Sequence, residues 1–293
     1  MTSVRALRSN REAAVKRNHF GLGISVVVHL LPPICDLYYL VSNKKPIIMR
    51  PVFTLLLFFF LCTCVRAQIT DPKATEFYTP VPPKVKAQAV TTPPPSDAIV
   101  LFGPDGNTSE WVDGDSGGPV EWTVKDGVIT VKPGTGIIKT RRNFDDVQLH
   151  IEWRSPNEPD KEGQGRGNSG VFFQERYEVQ VLESHGSDTY TNGQAASIYK
   201  ESPPLVNATV PMGEWNSYDI IFTAPVFNDD GMVIRPAYFT VFHNGVLVQN
   251  HWEVKGTTAY IGLHKYTAHP TGPITLQDHS NEVSYRNIWV REL

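Results

Sequence analysis

The sequence predicts an all-β protein whose strands pair antiparallel in a sandwich. Three observations carry this expectation. Short runs alternate apolar and polar side chains, the period-two pattern of a strand with one buried face. Turn signals separate these runs at close intervals, among them Asp126-Gly127 and Asn244-Gly245. No stretch shows sustained helical periodicity.

The front end of the 293-residue chain stands apart from that pattern. Residues 1–48 read as a mis-assigned N-terminal extension, because their apolar part is broken by Pro32, Pro33 and Asp36. Met49 is then the expected start, and a genuine N-terminal anchor is the alternative. Residues 49–67 read as a signal peptide. Arg50 supplies the positive start, residues 52–65 the apolar run, and Val65-Arg66-Ala67 a small-residue cleavage site. That run is too short for a transmembrane helix, so no stable membrane insertion is expected after cleavage. Residues 68–96 hold Pro72, Pro80, Pro82, Pro83, Pro93, Pro94 and Pro95, the composition of an extended linker that serves as a tether or as a strap across the domain surface.

The β-sandwich domain is expected over residues 97–293. Runs at 120–124 and 128–131 flank the Asp126-Gly127 turn. In residues 148–154, Leu149, Ile151 and Trp153 alternate with His150, Glu152 and Arg154. A Gly-rich polar turn then leads into runs at 169–174 and 177–182, where Tyr177, Val179 and Val181 alternate with Glu178 and Gln180. Further runs lie at 218–222, 237–242, 246–249, 260–263, 274–277 and 283–290, the last with irregular alternation. Roughly a dozen strands without helices fit one antiparallel domain. Within that class the two-sheet jelly-roll sandwich, concanavalin A-like, offers a curved sheet with a concave face, a step taken by analogy of architecture.

Charge and cysteine usage exclude several functions. Of 27 basic and 30 acidic residues, nine and two lie in residues 1–67, which leaves 18 and 28 and a net charge of −10. An acidic body argues against nucleic acid and anionic membranes as partners. Cys35, Cys62 and Cys64 all lie in the leader, so the mature chain has no disulfide, thiol nucleophile or cysteine-ligated metal. Asn107 and Asn207 open sequons that matter only in a glycosylating host.

Candidate chemistry concentrates on polar strand faces: His150/Glu152/Arg154, Glu178/Gln180 and Gln277/His279. Glu, Gln, His and Arg can act as acids, bases or bidentate hydrogen-bonding groups. If these strands share one sheet, the face suits a polyhydroxylated ligand; if not, they form an ordinary wet surface with cross-strand pairs. Most of the six tryptophans, Trp153 among them, read as core. His264, His269 and His279 near Asp278 invite a divalent metal, but no His-x-His or His-Glu-x-x-His spacing supports one, and no cofactor is expected. The Gly-rich turn precedes no helix, so it is no phosphate loop, and no Gly-x-Ser-x-Gly elbow appears. A retaining glycosidase needs two carboxylates about 5 Å apart. The run Glu178, Gln180, Leu182 lacks the second acid that the one-strand signature of such enzymes would carry.

Several runs together resemble the 3-keto-disaccharide hydrolase family. They are Leu101-Phe102 through Trp111, Asn168-Ser169-Gly170-Val171, Tyr177-Glu178-Val179-Gln180, Gly213-Glu214-Trp215-Asn216, the run from Gly272 through Gln277-Asp278-His279, and Arg286-Asn287-Ile288-Trp289. Upstream, Asp71 through Glu76 is similar to secreted members. One departure, Phe102-Gly103-Pro104-Asp105-Gly106, touches only a loop. The resemblance implies a concanavalin-like sandwich that acts on oxidised sugars, secreted or periplasmic in a bacterial cell envelope, with a sugar dehydrogenase as a possible partner. A ketone at C3 acidifies the C2 proton; its loss lets the C1 substituent leave, and water then adds back. That route needs one base, a donor for the enolate and an acid for the leaving oxygen. Glu178 or His279 would be the base, with the other the proton donor. Gln180, Gln277 and Arg154 would hold substrate oxygens, and Glu152 would orient Arg154. Asn168, Tyr199, Lys200 and Arg286 would complete the cleft. A non-catalytic carbohydrate-binding module, or an extracellular structural or adhesion domain, remains the alternative.

Overall fold

The computed structural model describes residues 68–186 and 188–293. The expected extension at 1–48 and signal segment at 49–67 lie outside these residues. Two antiparallel sheets stack in a jelly-roll sandwich. The eight-stranded sheet runs β13 (Val246–Glu253), β12 (Tyr238–His243), β9 (Asn216–Thr223), β6 (Val147–Arg154), β15 (Ser284–Glu292), β4 (Val128–Thr130), β3 (Thr123–Lys125), with β1 (Ile99–Phe102) also paired to β15. The five-stranded sheet runs β2 (Trp111–Asp113), β5 (Ile138–Thr140), β14 (Ile274–Leu276), β7 (Ser169–Phe173), β8 (Tyr177–Val181). A short ribbon pairs β10 (Val226–Phe227) with β11 (Val233–Arg235). Among the described residues no helix is long and apolar enough to cross a membrane.

Local sequence explains the main turns. Asp126 and Gly127, and likewise Asn244 and Gly245, all have positive φ, which matches the twist of the hairpins β3–β4 and β12–β13. The irregular alternation in β15 is a bulge: its register on β6 shifts between Arg286 and Trp289, with Asn287 at φ +47°. Residues 260–263 form an exposed loop instead of a strand. Tyr260, Ile261 and Leu263 all face outward there, and Gly262 turns the chain at φ +94°.

The core lies between the sheets. Leu149, Ile151 and Trp153 of β6 meet Val171, Phe173, Tyr177, Val179 and Val181 of β7 and β8 within one buried cluster. Phe173 stacks obliquely on Phe222 at 4.8 Å and meets Phe239 edge-on at 5.2 Å. Polar tethers also join the layers, since Tyr218 Oη donates to Gln180 O (2.8 Å) and Tyr285 Oη to Ser169 Oγ (2.6 Å).

The proline-rich segment is docked on this sandwich. Val85 N donates to Asn207 O, Asn207 N to Pro83 O, and Val90 N to Ser217 Oγ. Thr92 O accepts from Asn287 Nδ2 (3.0 Å) and Trp289 Nε1 (2.9 Å). Beneath it, Glu152 accepts from Arg286 Nε (2.7 Å) and Asn287 Nδ2 (2.9 Å), and His150 bonds Asp219 at 2.7 Å while stacking on Trp289. Burial alone would lower the His150 pKa, but the Asp219 and Glu152 carboxylates outweigh it and raise it. Burial would likewise raise Glu152, yet His150, Asn287 and Arg286 hold it down to about 2.

Two stability measurements follow. Phe173→Ala should destabilise the domain by about 3–5 kcal/mol through the cavity left between the sheets, read by denaturant unfolding. Glu152 contributes stability in full above its ordinary pKa of 4.5 and loses it as the pH falls towards 2. Glu152→Gln should therefore lower the melting temperature at pH 7 and flatten its fall between those two pH values; parallel acid limbs would contradict this.

Candidate active site

The outer face of the five-stranded sheet carries a cavity of about 510 Å³. Its floor comes from β8, where Tyr177, Val179 and Val181 turn inward and Glu178 and Gln180 turn outward. Opposite them in β7 sit Phe172 and Gly170, paired with Glu178 and Gln180 respectively. A Cβ at Gly170 would lie 2.6 Å from Glu178 Oε1 and 2.8 Å from Phe172 Cε2, so a side chain there would displace the carboxyl from this position. β14 ends at Leu276, and Gln277 and His279 continue onto the cavity wall. Asp278 braces that turn by accepting from the backbone N–H groups of Gly134, Gly136 and Ser280.

Two segments bury this outer face. Residues 196–199 add to the free edge of β8 through Gln180 N to Ser197 O, Ala196 N to Gln180 O and Tyr199 N to Glu178 O. They bring Tyr199 to the cavity, where its hydroxyl meets that of Tyr190 at 2.7 Å. On the other side Thr258 Oγ1 accepts from Glu178 N (3.0 Å), and Tyr260 closes the wall. Glu178 is thus 4% exposed, and burial pushes its pKa up to about 8. Burial also raises Tyr199, to about 12, and raises Tyr190 further. Both phenols therefore stay protonated as hydrogen-bond donors.

Four neutral amides, Gln164, Asn168, Gln180 and Gln277, supply much of the remaining wall. Asn168 Nδ2 donates to Gln164 O (2.7 Å), and Gln164 Nε2 to Gly193 O (2.9 Å) and Thr189 Oγ1 (3.0 Å). Gln180 has two usable orientations. In one, Nε2 donates to Gln164 Oε1 at 3.0 Å, leaving its oxygen towards Glu178. In the other, Nε2 donates to Glu178 Oε1 (3.1 Å) and Ser169 O (2.9 Å). The first suits a protonated Glu178, the second an ionised one.

The structure thus brings together Glu178, His279, Asn168, Gln180, Tyr199 and Gln277. It separates Glu152, Arg154 and Arg286 from them, which corrects the expectation of one shared polar face. β6 and β15 belong to the other sheet, and their polar side chains point out of the opposite side of the sandwich. There Arg154 and Arg286 lie over the Trp215 ring at 4.7 and 4.1 Å, while Glu152 is sealed under the proline-rich segment. Lys200 is corrected as well. Its ammonium is buried among Pro72 O (2.7 Å) and Tyr260 O (3.0 Å), behind the wall instead of on it. Sequence reasoning missed Glu76, Gln164, Phe172, Tyr190, Thr258 and Tyr260, which also line the cavity. All but Phe172 lie outside the strands; for Glu76 a signal existed in the run from Asp71 to Glu76.

The histidines near Asp278 do not converge. His264 Nδ1 meets Thr257 O, and His269 bonds Tyr177 Oη and Pro270 O. Among the described residues no group of three or more His, Cys, Asp or Glu is placed to hold a metal.

The chain is similar to proteins of known structure. A crystal structure of a candidate glycosyl hydrolase from Parabacteroides distasonis is 49% identical, with a TM-score of 0.67 over 75% of this chain and 96% of that one. A second such structure from the same organism is 21% identical, with a TM-score of 0.48 over 67% and 94%. No curated protein matches the chain. The model of the 3-keto-alpha-glucoside-1,2-lyase-like domain matches residues 97–291, and the chain belongs to that family, the 3-keto-disaccharide hydrolases.

Proposed function

We propose that this protein cleaves glycosidic bonds of 3-keto-sugars by C2 proton abstraction, elimination and hydration. The observation that carries this reading is a buried carboxyl, Glu178, on the floor of a cavity otherwise built largely of amides, phenols and hydroxyls. A carboxylate raised to about pH 8 is a far stronger base than an exposed one, which suits removal of a carbon-bound proton made acidic by a neighbouring ketone.

In this mechanism Glu178 takes the C2 proton and the electron pair moves towards the C3 oxygen. Asn168, Gln180 and Gln277 offer amide N–H groups to the enolate, and the Tyr190–Tyr199 pair offers a hydroxyl. The pair then forms the C1–C2 double bond as the C1–O bond breaks. His279, exposed at the mouth, protonates the departing oxygen and is recharged from solvent. Water adds at C1 with loss of its proton to solvent, and Glu178, once its own proton has exchanged with the entering water, protonates C2, completing a net hydrolysis. The ketone itself must come from a sugar-oxidising partner, and residues 49–67 would place the enzyme outside the cytoplasm.

The test is incubation with a 3-keto-glucoside and its unoxidised counterpart in D2O. Release of the aglycone from the keto-sugar alone, with deuterium at C2 of the product, is expected. Binding without release would instead mark a carbohydrate-binding module. kcat/KM should rise with pH through about 8, as Glu178 ionises. Glu178→Gln should lower kcat by about 10²–10⁴-fold. It should remain folded, and should gain stability over the wild type between pH 4.5 and 8, because the buried neutral carboxyl loses ground there to an ionised unfolded state. His279→Ala should slow substrates with alcohol leaving groups yet scarcely affect nitrophenol release, which needs no acid; equal slowing of both would remove His279 from that role.

A further inference from the structure

The family model begins at residue 97, but the cavity wall does not. Glu76 lines the cavity from the segment that precedes the matched domain. Both flanks of Glu76 are pinned to the loop that covers β8. Asn192 Nδ2 donates to Thr75 O (2.9 Å), Asn192 Oδ1 accepts from Phe77 N (2.9 Å), and Thr191 Oγ1 donates to Phe77 O (2.9 Å). The carboxylate is oriented at both oxygens: Oε2 accepts from Tyr78 Oη (2.7 Å), and Oε1 lies 3.6 Å from Lys200 Nζ. Lys200 is 2% exposed, and it also holds Pro72 O and Tyr260 O, the two segments that flank the cavity mouth. A buried lysine that joins three partners on two distant segments of the chain is a junction of the wall.

A carboxylate accepts about four hydrogen bonds, and Tyr78 and Lys200 occupy only part of that capacity. The remainder belongs to an oxygen pair on the cavity wall, where the other groups are mostly neutral. Sugar hydroxyls are donors, and a charged acceptor binds them more strongly than an amide oxygen does. We infer that residues 71–78 are an integral wall of the site, in which Glu76 is a ligand-contacting carboxylate that accepts from sugar hydroxyls and Lys200 is the positioning residue that holds it. This rests on the proposed sugar site and extends it beyond the family domain.

Calorimetric titration of the full chain tests the assignment. Glu178→Gln serves as background, so that binding is read without turnover, and the ligands are a 3-keto-glucoside and the unoxidised glucoside. Adding Glu76→Gln should weaken binding about tenfold or more, and in the active enzyme it should raise KM by a similar factor with kcat within threefold. Lys200→Met should weaken binding in the same direction and open residues 68–96 to limited proteolysis. If the background protein binds sugar and Glu76→Gln shifts Kd by less than twofold, Glu76 is not a ligand contact. If the background protein binds neither sugar, the sugar reading itself falls and the Glu76 assignment with it, an outcome distinct from the first.

Discussion

The structure of the site depends on one constraint: a carboxyl removed from water with no cation beside it among the described residues. Glu178 is held there by geometry, since a strand must alternate and Tyr177 and Val179 already face the core. Its neighbours follow from its presence. Gly170 supplies the space that any side chain would fill, and the amides of Gln180, Gln164 and Asn168 supply polarity without neutralising it. A cation there would have lowered the pKa and weakened the base. Amides and phenols can hydrogen-bond either protonation state, which is what a group that must give up and recover a proton requires.

The two sheets treat their outer faces differently, and the proline-rich segment takes part in both. On the eight-stranded sheet it seals His150 and Glu152 into an ion-pair network, a structural use of charged residues. On the five-stranded sheet its first residues stand at the rim of the cavity. Composition alone leaves such a stretch as either a tether or a surface strap, because prolines cannot join a sheet ladder. Its docking uses the carbonyls of Thr75, Phe77, Pro83 and Thr92, which all accept from the domain, together with the N–H groups of the non-proline residues Phe77, Val85 and Val90.

Much of this fold was legible in the sequence, and for a physical reason. Alternation in 148–154 and 177–182, and the two turn dipeptides, are local properties that survive in the folded state. The inward placement of Trp153 and the outward placement of Glu178 and Gln180 follow from them directly. Which sheet a strand joins is not local. His150, Glu152 and Arg154 have the same period-two pattern as Glu178 and Gln180, and nothing in the pattern distinguishes one outer face from the other. The pattern therefore groups Glu152 and Arg154 with a cavity that lies on the opposite side of the core. The loop residues Gln164, Tyr190 and Thr258 carry no periodic signal at all, and Tyr260 opens an apolar run whose composition suits a strand as well as a loop. The short strands at 99–102, 111–113 and 138–140 hold too few residues for alternation to stand out.

Asn287 illustrates how one irregular residue can verify an arrangement. It sits in a bulge, where a regular strand would have continued, and its single amide group reaches both the Glu152 carboxylate and the Thr92 carbonyl. A one-residue slip of β15 along β6 would turn that amide to the other face and leave the carboxylate short of a donor. Apolar neighbours such as Ile288 and Val290 discriminate registers only by fit; the amide discriminates by whether a buried charge is satisfied. The bulge thus works as an error check on β15, joining in a single amide the alignment of strand, sheet and overlying segment.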